Sequence, residues 1–186
     1  RIINILWSWI NSIYYSGNNV FCGLCNWRGS TFINNYCPNC KSLPRHRLIA
    51  YCLQNFNKNR KILHIGPNYG EYLFISSILK PSVYHRVDTE NNRYINKVHD
   101  ITKIGLNTNY YDLIIIWHVL EHIEKDIDAI TNLYDSLQSN GILLASVPIY
   151  PAGNNITFQR EIIKLGDNEK YYGHQDHVRA CGYDYI

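Results

Sequence analysis

The chain has 186 residues, of which 46% are hydrophobic and 18% are charged, and its formal net charge is +3. That length suffices for one well-packed α/β domain with a small accessory module. So weak a basic charge does not by itself indicate binding to nucleic acid. Because the sequence contains no methionine, we expect a processed chain or a fragment.

Residues 1–15 have the apolar spacing of an amphipathic helix, with Leu6, Ile10 and Ile13 roughly on one face. The segment is too short and too polar to span a bilayer, and it lacks the cleavage site of a signal peptide. We expect a helix that docks on the protein. A membrane-surface anchor is the alternative, because Trp7 and Trp9 suit a membrane interface. Without any mark of secretion, we expect a cytoplasmic protein.

The sharpest local signal is a set of four cysteines in two pairs, Cys22-x2-Cys25 and Cys37-x2-Cys40, separated by eleven residues. Two such pairs can place four thiolates tetrahedrally around one Zn²⁺. The alternatives are two disulfide bonds, which a chain without a secretion signal disfavours, and four unlinked thiols, which the paired spacing disfavours. A site with four cysteine ligands is closed, so we expect a structural zinc ribbon over residues 17–43.

A helix is predicted to follow, with Pro44 in its first turn. Arg45, His46 and Arg47 crowd its start, where cations are mildly unfavourable. One interpretation is a solvated basic turn. The other is that these three residues bind an anionic substrate or the carboxylate of a cofactor.

Residues 61–70, KILHIGPNYG, indicate a buried strand that stops at a glycine turn. In open α/β sheets such a loop lies at the carboxyl end of the strand, where ligands bind. Gly66 and Gly70 permit a tight turn and a close approach to a ligand, and helix amides at the loop exit can hold an anion. The spacing is not G-x-G-x-x-G, so a dinucleotide fingerprint is not satisfied. An ordinary βα turn is the alternative.

Strands and helices alternate from this loop to residue 149. Asp88 ends the second strand, 22 residues after Gly66, which is near the roughly 20 typical of a ribose-binding acid. The alternation predicts a doubly wound, mostly parallel sheet. The predicted elements are strands at residues 62–65, 83–87, 112–119 and 141–149, with helices at about 71–80 and 126–139.

These segments stand in the order of a known family. HIGPNYG, the acid at residue 88, the dipeptide at residues 100–101, YDLIIIWHVLEHI and NGILLASVPI resemble the class I S-adenosylmethionine-dependent methyltransferases, most of all the type 11 group. The resemblance covers roughly residues 61–149 and implies a Rossmann-like α/β fold with S-adenosyl-L-methionine as cofactor. A CP-x-C knuckle, followed by an RHR segment and then by this domain, is similar to a zinc-ribbon-headed subgroup of these enzymes.

The resemblance also implies roles for individual residues. The loop would face the methionyl part of the cofactor, Asp88 would bind the ribose hydroxyls, and His118 would end a strand near the transferable methyl group. His64 stands where many members have an acid, and the second glycine of the loop is missing. The implied cofactor-binding residues are His64, Gly66, Pro67, Asn68 and Gly70 in and before the loop, Asp88, Asp100 and Ile101 at the adenosine, and His118.

A polar cluster lies in the segment after the last predicted strand. His174 and His177 flank Asp176, and such a group could act as general base and orienting partner, as metal ligands, or as the core of a hydrogen-bonded loop. The same subgroup carries a similar QDHVR element. We expect the segment to close over the methyl-transfer site as a substrate lid, with Arg179 binding the substrate and His118 beside the reacting atoms.

We therefore predict an S-adenosylmethionine-dependent methyltransferase in three parts: a helix at residues 1–16, a zinc ribbon at residues 17–43 and a methyltransferase domain at residues 44–186. The family sheet continues with a helix and two strands, so we expect it to be C-terminally incomplete here. A small molecule or a glycan is favoured as methyl acceptor, since no strong basic face is visible. The alternative is a nucleic-acid- or protein-binding zinc ribbon on a degenerate scaffold, with Trp27 and Arg28 contacting nucleic acid.

Overall fold

The computed structural model describes residues 2–159 and 166–185, with side chains described from residue 6 onward. The chain divides into two compact units. The first unit comprises Arg1–Asn59 and Asn68–Pro81, and the second comprises Arg60–Pro67 and Ser82–Ile186. Of the predicted N-terminal helix, residue 1 lies outside the described residues.

The first unit combines helices with a short antiparallel hairpin. The helix that the apolar spacing predicts is present as α1 and is attached through Trp27, whose Nε1 donates a hydrogen bond to the carbonyl of Ser12 at 3.0 Å. Its large side chains remain exposed, however, and Trp9 is 63% exposed. The elements of this unit are α1 (Ile2–Tyr14), β1 (Ser16–Cys22), β2 (Trp27–Gly29), α2 (Pro44–Leu53) and α3 (Tyr69–Ile78).

The start of α3 is fixed by a reciprocal cap. The side chain of Asn68 accepts a hydrogen bond from the amide of Glu71 at 2.9 Å, and the Glu71 carboxylate accepts one from the amide of Asn68 at 3.1 Å. This capping box satisfies two backbone amides that the helix itself leaves unpaired. It starts the helix two residues earlier than the apolar pattern predicts.

The second unit contains the predicted doubly wound sheet, and every pair of neighbouring strands in it is parallel. The strand order is β5-β4-β3-β6-β7, so the chain starts in the middle, winds to one edge and then returns to the other side. The order reverses between β3 and β6, which makes their carboxyl ends the expected ligand site. The strands are β3 (Lys61–Ile65), β4 (Val83–Asp88), β5 (Lys97–Val98), β6 (Tyr111–Trp117) and β7 (Leu137–Ser146).

The core of this unit surrounds β6, whose residues 113–116 are completely buried. A strand buried on both faces must be apolar at successive positions, and the run LIII meets that requirement. Leu63, Ile65 and Val87 from the neighbouring strands and Leu133 from the following helix complete the cluster. The helical elements of this unit are a 3-10 turn (Leu120–His122), α4 (Asp126–Ser136) and α5 (Asn168–Tyr172).

The boundary between α4 and β7 differs from the sequence prediction. The helix was expected to continue to residue 139, but it ends at Ser136 and the strand begins at Leu137. Leu137 pairs with Tyr111, and after an irregularity Ile142 pairs with Leu113. Pairing with the central strand therefore overrides the local helical pattern. Across the described residues, no helix combines the length and the apolar character needed to cross a membrane.

Candidate functional site

A cavity of about 320 Å³ opens at the carboxyl ends of the central strands of the second unit. Gly66 follows β3, Asp88 ends β4, and Val119 lies just after β6. The cavity therefore occupies the position where the strand order reverses, the usual ligand site of open α/β sheets. Its lining residues are Ile65, Gly66, Asp88, Thr89, His99, Asp100, Ile101, Val119, His122 and Ile123.

Gly66 meets two demands that only glycine satisfies well. Its φ of +57° lies in the left-handed region, and a Cβ atom at this position would lie 2.8 Å from the Cγ2 atom of Val119. The amide of Gly66 donates a hydrogen bond to the carbonyl of Val87 at 2.8 Å. The turn thus depends on the missing side chain, because a left-handed conformation and a close neighbour occur together.

Two carboxylates face the same cavity. Asp88 Oδ1 lies 3.4 Å from the hydroxyl of Thr89. Asp100 Oδ1 accepts hydrogen bonds from the hydroxyl of Thr102 at 2.7 Å and from its amide at 2.9 Å. These two bonds, the hydroxyl first, hold the pKa of Asp100 below its ordinary value, because they stabilise the ionised form. Among the described residues, the recorded hydrogen bonds of both carboxylates involve Oδ1, so Oδ2 can accept a hydrogen bond from a ligand.

The remaining residues assigned to the cofactor are placed differently. Ile101 lines the cavity, and its carbonyl accepts a hydrogen bond from Asn132 at 2.9 Å. Asn68 caps α3 and Gly70 lies in the first turn of that helix, both in the first unit. Pro67, which ends a segment of the second unit, is buried.

His64 does not fit a direct cofactor contact. Its side chain is completely buried, and Nδ1 lies 3.0 Å from the hydroxyl of Tyr84. Burial, together with the charge of Arg86, lowers the pKa of His64 to about 3, so the ring is neutral. A side chain with no exposed surface packs the sheet rather than touching a ligand, which the position in the sequence could not reveal.

A histidine and glutamate cluster lies just beyond β6, beside the cavity. His118 has a left-handed φ of 56°, unusual for a residue other than glycine, and its Nδ1 lies 3.5 Å from Oε1 of Glu121. Glu121 is 1% exposed. His122 lines the cavity, whereas His118 does not. Glu121 was missed in the sequence, although the spacing H-x-x-E-H after a central strand is a signal for it.

Residues 174–178 contact the 3-10 turn at Leu120–His122. The amide of Val178 donates a hydrogen bond to the carbonyl of Glu121 at 2.9 Å, and the rings of His122 and His177 have centroids 4.8 Å apart. Burial lowers the pKa of His177. His174 and Asp176 are largely exposed, with 3.7 Å between Nδ1 and Oδ2. In the predicted polar segment, His177 therefore contacts His122, which lines the cavity.

Arg179, which the sequence predicts to bind the substrate, is buried. The side chain is 4% exposed and donates hydrogen bonds to the carbonyls of Leu120 and Ile123, both at 2.7 Å, and of Glu124 at 3.1 Å. It also pairs with the carboxylate of Asp126 at 3.2 Å. Its donors are thus occupied by the turn between β6 and α4, and it clamps that turn.

The basic residues at the start of α2 also have partners within the first unit. His46 Nδ1 accepts a hydrogen bond from the amide of Leu43 at 3.2 Å. Arg47 donates to the carbonyl of Ser42 at 2.6 Å and stacks on Phe32 at 3.8 Å from the ring centroid. Only Arg45 of the three is exposed. His46 and Arg47 are therefore half-buried and stabilise local structure, rather than forming a fully solvated turn.

The four cysteines of the two pairs come together in the first unit. The Sγ atoms of Cys22 and Cys40 lie 3.7 Å apart, as do those of Cys25 and Cys37, and all four lie within 4.8 Å of one another. Disulfide bonds require about 2.05 Å, so the disulfide alternative is excluded in this structure. The pKa of the Cys22 thiol is held below its usual range, because neighbouring thiols, Cys25 first, donate to its thiolate.

Both pairs have the same backbone geometry. Asn26 follows the first pair with a φ of 58° and Lys41 follows the second with a φ of 60°. Their amides donate hydrogen bonds to the carbonyls of Cys22 and Cys37, both at 2.8 Å. The two knuckles thus aim each pair of sulfur atoms inward by the same turn.

Trp27, which the alternative hypothesis assigns to nucleic-acid contact, donates a hydrogen bond to the carbonyl of Ser12 in α1.

Comparison with known proteins supports one family. A family model described as a methyltransferase domain matches residues 39–179, and no curated protein sequence matches the chain. Similar solved structures include a SAM dependent methyltransferase from Archaeoglobus fulgidus, with 17% identity and a TM-score of 0.55 over 75% of this chain and 62% of that one. The YcgJ protein of Bacillus subtilis has 12% identity and a TM-score of 0.55, over 75% and 63%.

A third similar structure is phosphoethanolamine N-methyltransferase 2 of Haemonchus contortus in complex with S-adenosyl-L-methionine, with 13% identity and a TM-score of 0.52 over 75% of this chain and 34% of that one. The chain spans less than two thirds of the length of these three proteins, and at such identities the likeness concerns the fold alone. The family model, in contrast, covers about three quarters of the sequence. The chain therefore belongs to the methyltransferase domain family and has its class I, Rossmann-like fold.

Proposed function

We propose that the chain binds S-adenosyl-L-methionine in the cavity of the second unit and transfers its methyl group to an acceptor. One observation carries this proposal. Gly66, Asp88, Asp100 and Ile101 are scattered over 36 residues of sequence, yet all four line the same cavity. The resemblance to the methyltransferases assigns each of these four residues to the cofactor.

The cavity residues suit the parts of that cofactor. Asp88 has an available carboxylate oxygen for the ribose hydroxyls, and Asp100 can accept from the adenine amino group beside the apolar Ile101. Gly66 lets the backbone approach the methionyl part closely. The sulfonium is intrinsically reactive, so the protein mainly aligns acceptor, methyl and sulfur, which can supply roughly 7–11 kcal/mol of the barrier.

The acceptor is proposed to be a small molecule or a glycan, because the net charge of +3 provides little attraction for nucleic acid. His118, His174, Asp176 and His177 are the candidates for handling the acceptor and its proton. Of these, His177 is best placed, because its ring contacts that of the cavity residue His122.

Calorimetry with S-adenosyl-L-methionine tests the proposal. We expect binding by the parent chain and at least tenfold weaker binding by Asp88→Ala, because a hydrogen bond to a charged group contributes about 1.5–3 kcal/mol. Asp128→Ala is the matched control, since Asp128 is exposed on α4 and does not line the cavity. A folded parent chain that binds no cofactor would refute the assignment.

We also propose that Cys22, Cys25, Cys37 and Cys40 hold one structural Zn²⁺. A Zn–S bond of about 2.3 Å places the sulfur atoms of a tetrahedral site about 3.8 Å apart, which agrees with the two separations of 3.7 Å. Residues 17–43 would then be a zinc ribbon between an N-terminal helix and the methyltransferase domain from residue 44 onward. None of the six cysteines forms a disulfide bond, which suits a reducing compartment and so the proposed cytoplasmic location.

Elemental analysis tests the zinc site. We expect one zinc per chain at this cluster, and its loss in Cys37→Ser. Cys52→Ser is the control, because Cys52 belongs to α2 in the same unit but not to the cluster. A Cys37→Ser protein that retains its full zinc content would contradict the assignment.

A further inference from the structure

A second group of metal-ligating side chains lies in the second unit. Glu121, His122 and His177 each place a ligand atom within 4.8 Å of the other two. Metal–ligand bonds of about 2.0–2.2 Å hold ligand atoms on one ion within about 4 Å of each other. An adjustment of no more than about 1 Å would therefore bring the three ligand atoms to bonding distance of one ion, and two of the side chains lie on a short turn beyond β6.

The carboxylate of Glu121 is buried without a close hydrogen-bond donor among the described residues. Its side chain is 1% exposed, and among the described residues its Oε2 atom has no hydrogen-bond partner. Its Oε1 atom lies 3.5 Å from Nδ1 of His118 and 3.8 Å from Nε2 of His122, which are long contacts. A buried carboxylate without close donors is costly unless a cation accompanies it. The position therefore calls for a positive charge at the cluster.

Both histidines use Nδ1 for a hydrogen bond to a backbone carbonyl. Nδ1 of His122 lies 3.0 Å from the carbonyl of Asp176, and Nδ1 of His177 lies 2.9 Å from the carbonyl of Tyr172. A carbonyl oxygen only accepts, so each Nδ1 carries the proton and each Nε2 presents a lone pair. Hydrogen bonds of this kind are the usual outer support of a metal-bound histidine.

We propose that Glu121, His122 and His177 form a binding site for a divalent transition-metal ion, distinct from the cysteine cluster. Two imidazoles and one carboxylate favour zinc, cobalt, manganese or iron over magnesium and calcium. Three protein ligands leave at least one coordination position open, as in catalytic zinc sites. Because His122 lines the cavity that we assign to the cofactor, an acceptor held at the open position would lie beside that cavity.

The site also indicates the class of acceptor, an inference that rests on the proposed methyl transfer. A hydroxyl oxygen bound at the open position would lose its proton more readily, and that proton would pass to solvent. The oxygen lone pair would attack the methyl carbon, forming the C–O bond. The C–S bond would break with its electron pair remaining on sulfur, which yields S-adenosylhomocysteine and a methyl ether. The acceptor is therefore a hydroxyl compound.

Cobalt titration of protein that carries one equivalent of zinc, bound at the cysteine cluster, tests the site, because Co²⁺ reports its ligands by absorption. We expect the parent chain to bind one Co²⁺ with visible d–d bands and without thiolate charge-transfer bands. Glu121→Gln and His177→Gln should each bind Co²⁺ at least tenfold more weakly. His174→Ala is the matched control, since His174 is an exposed neighbour outside the three-ligand group, and its affinity should be unchanged.

Two further measurements separate the possible outcomes. Co²⁺ should raise the melting temperature of the parent chain but not that of Glu121→Gln. Glu121→Gln should bind S-adenosyl-L-methionine within threefold of the parent, so a failure of the cofactor proposal is distinguishable from a failure of the metal site. No cobalt binding beyond the cysteines, or an equal loss in His174→Ala, would overturn the proposal. If Glu121→Gln does not fold, His177→Gln decides by the same criteria.

Discussion

At the scale of single residues, Gly66 lines the cavity and leaves no room for a side chain. Alanine at this position combines a left-handed φ of +57° with a contact of 2.8 Å to Val119. We expect Gly66→Ala to lower the free energy of unfolding by about 1–3 kcal/mol and to weaken S-adenosyl-L-methionine binding more than tenfold. Urea denaturation and calorimetry measure the two effects.

Gly153 provides a control for that substitution. It also has a left-handed φ, +81°, but a Cβ atom there would meet nothing within 4 Å. Gly153→Ala therefore carries backbone strain without steric conflict and should leave cofactor binding unchanged. If both alanine variants bind the cofactor equally well, the close approach at Gly66 has no functional meaning.

Glu71 should make the stability of the protein depend on pH. Burial raises the pKa of this carboxyl from 4.5 to about 7. Between these two pH values the folded state keeps a proton that the unfolded state has already released. The associated stability is fully present below pH 4.5 and is lost as the pH rises through about 7, by an amount on the order of 3 kcal/mol. Glu71→Gln keeps the cap geometry and removes the titration.

Urea denaturation between pH 5 and pH 8 measures this dependence. The parent chain should lose stability over that range, whereas Glu71→Gln should show a flatter profile. Glu169→Gln, at an exposed position in α5, should behave like the parent. Parallel pH profiles for the parent and Glu71→Gln would contradict the raised pKa.

At the level of elements, the turn between β6 and α4 is held by a side chain that follows it by about 55 residues. Arg179 bonds three carbonyls of that turn, and Asp126, its ionic partner, also accepts a hydrogen bond from the hydroxyl of Tyr185 at 2.6 Å. Removing one partner of a buried ion pair costs about 3–5 kcal/mol. We expect Arg179→Met to lower the free energy of unfolding by about this amount.

The same variant separates the structural role of Arg179 from the substrate-binding role that its sequence position favoured. Because residues of the clamped turn line the cavity, cofactor binding should weaken along with stability. Lys170→Met, at an exposed position on α5, should change neither. An Arg179→Met protein of unchanged stability would restore the substrate-binding hypothesis.

For the whole molecule, the sequence predicts what depends on local pattern. The apolar run of β6, the glycine turn and Asp88 all follow from short-range spacing, and they suffice for the sheet and for part of the cavity wall. Features that join distant parts of the chain are different. Glu121 belongs to a group of metal-ligating side chains only because the fold brings His177 beside it. Arg179 is bonded to the carbonyl of Leu120, which lies 59 residues earlier in the chain. No spacing rule predicts such contacts.

The cysteine segment has less apolar support than the rest of the chain. The second unit has an apolar cluster around β6, and in the first unit Ile49, Leu53 and Ile75 of α2 and α3 are buried. Residues 17–43, in contrast, contain the cysteine cluster and most of a two-stranded sheet, which is marginal by itself. A structural zinc contributes about 10–16 kcal/mol of binding free energy to folding in small modules. We therefore expect removal of zinc to unfold residues 17–43 of the first unit.

Tryptophan fluorescence measures this, because three of the four tryptophans, Trp7, Trp9 and Trp27, lie in the first unit. Trp27 loses its hydrogen bond to Ser12 when the hairpin unfolds, so a strong chelator should shift the emission to the red and increase quenching by iodide. Added zinc should reverse both changes. Cys37→Ser should show the chelated spectrum without chelator, while Cys52→Ser should resemble the parent. If the chelator removes zinc but leaves the tryptophan emission spectrum unchanged, the metal is dispensable for the fold of residues 17–43.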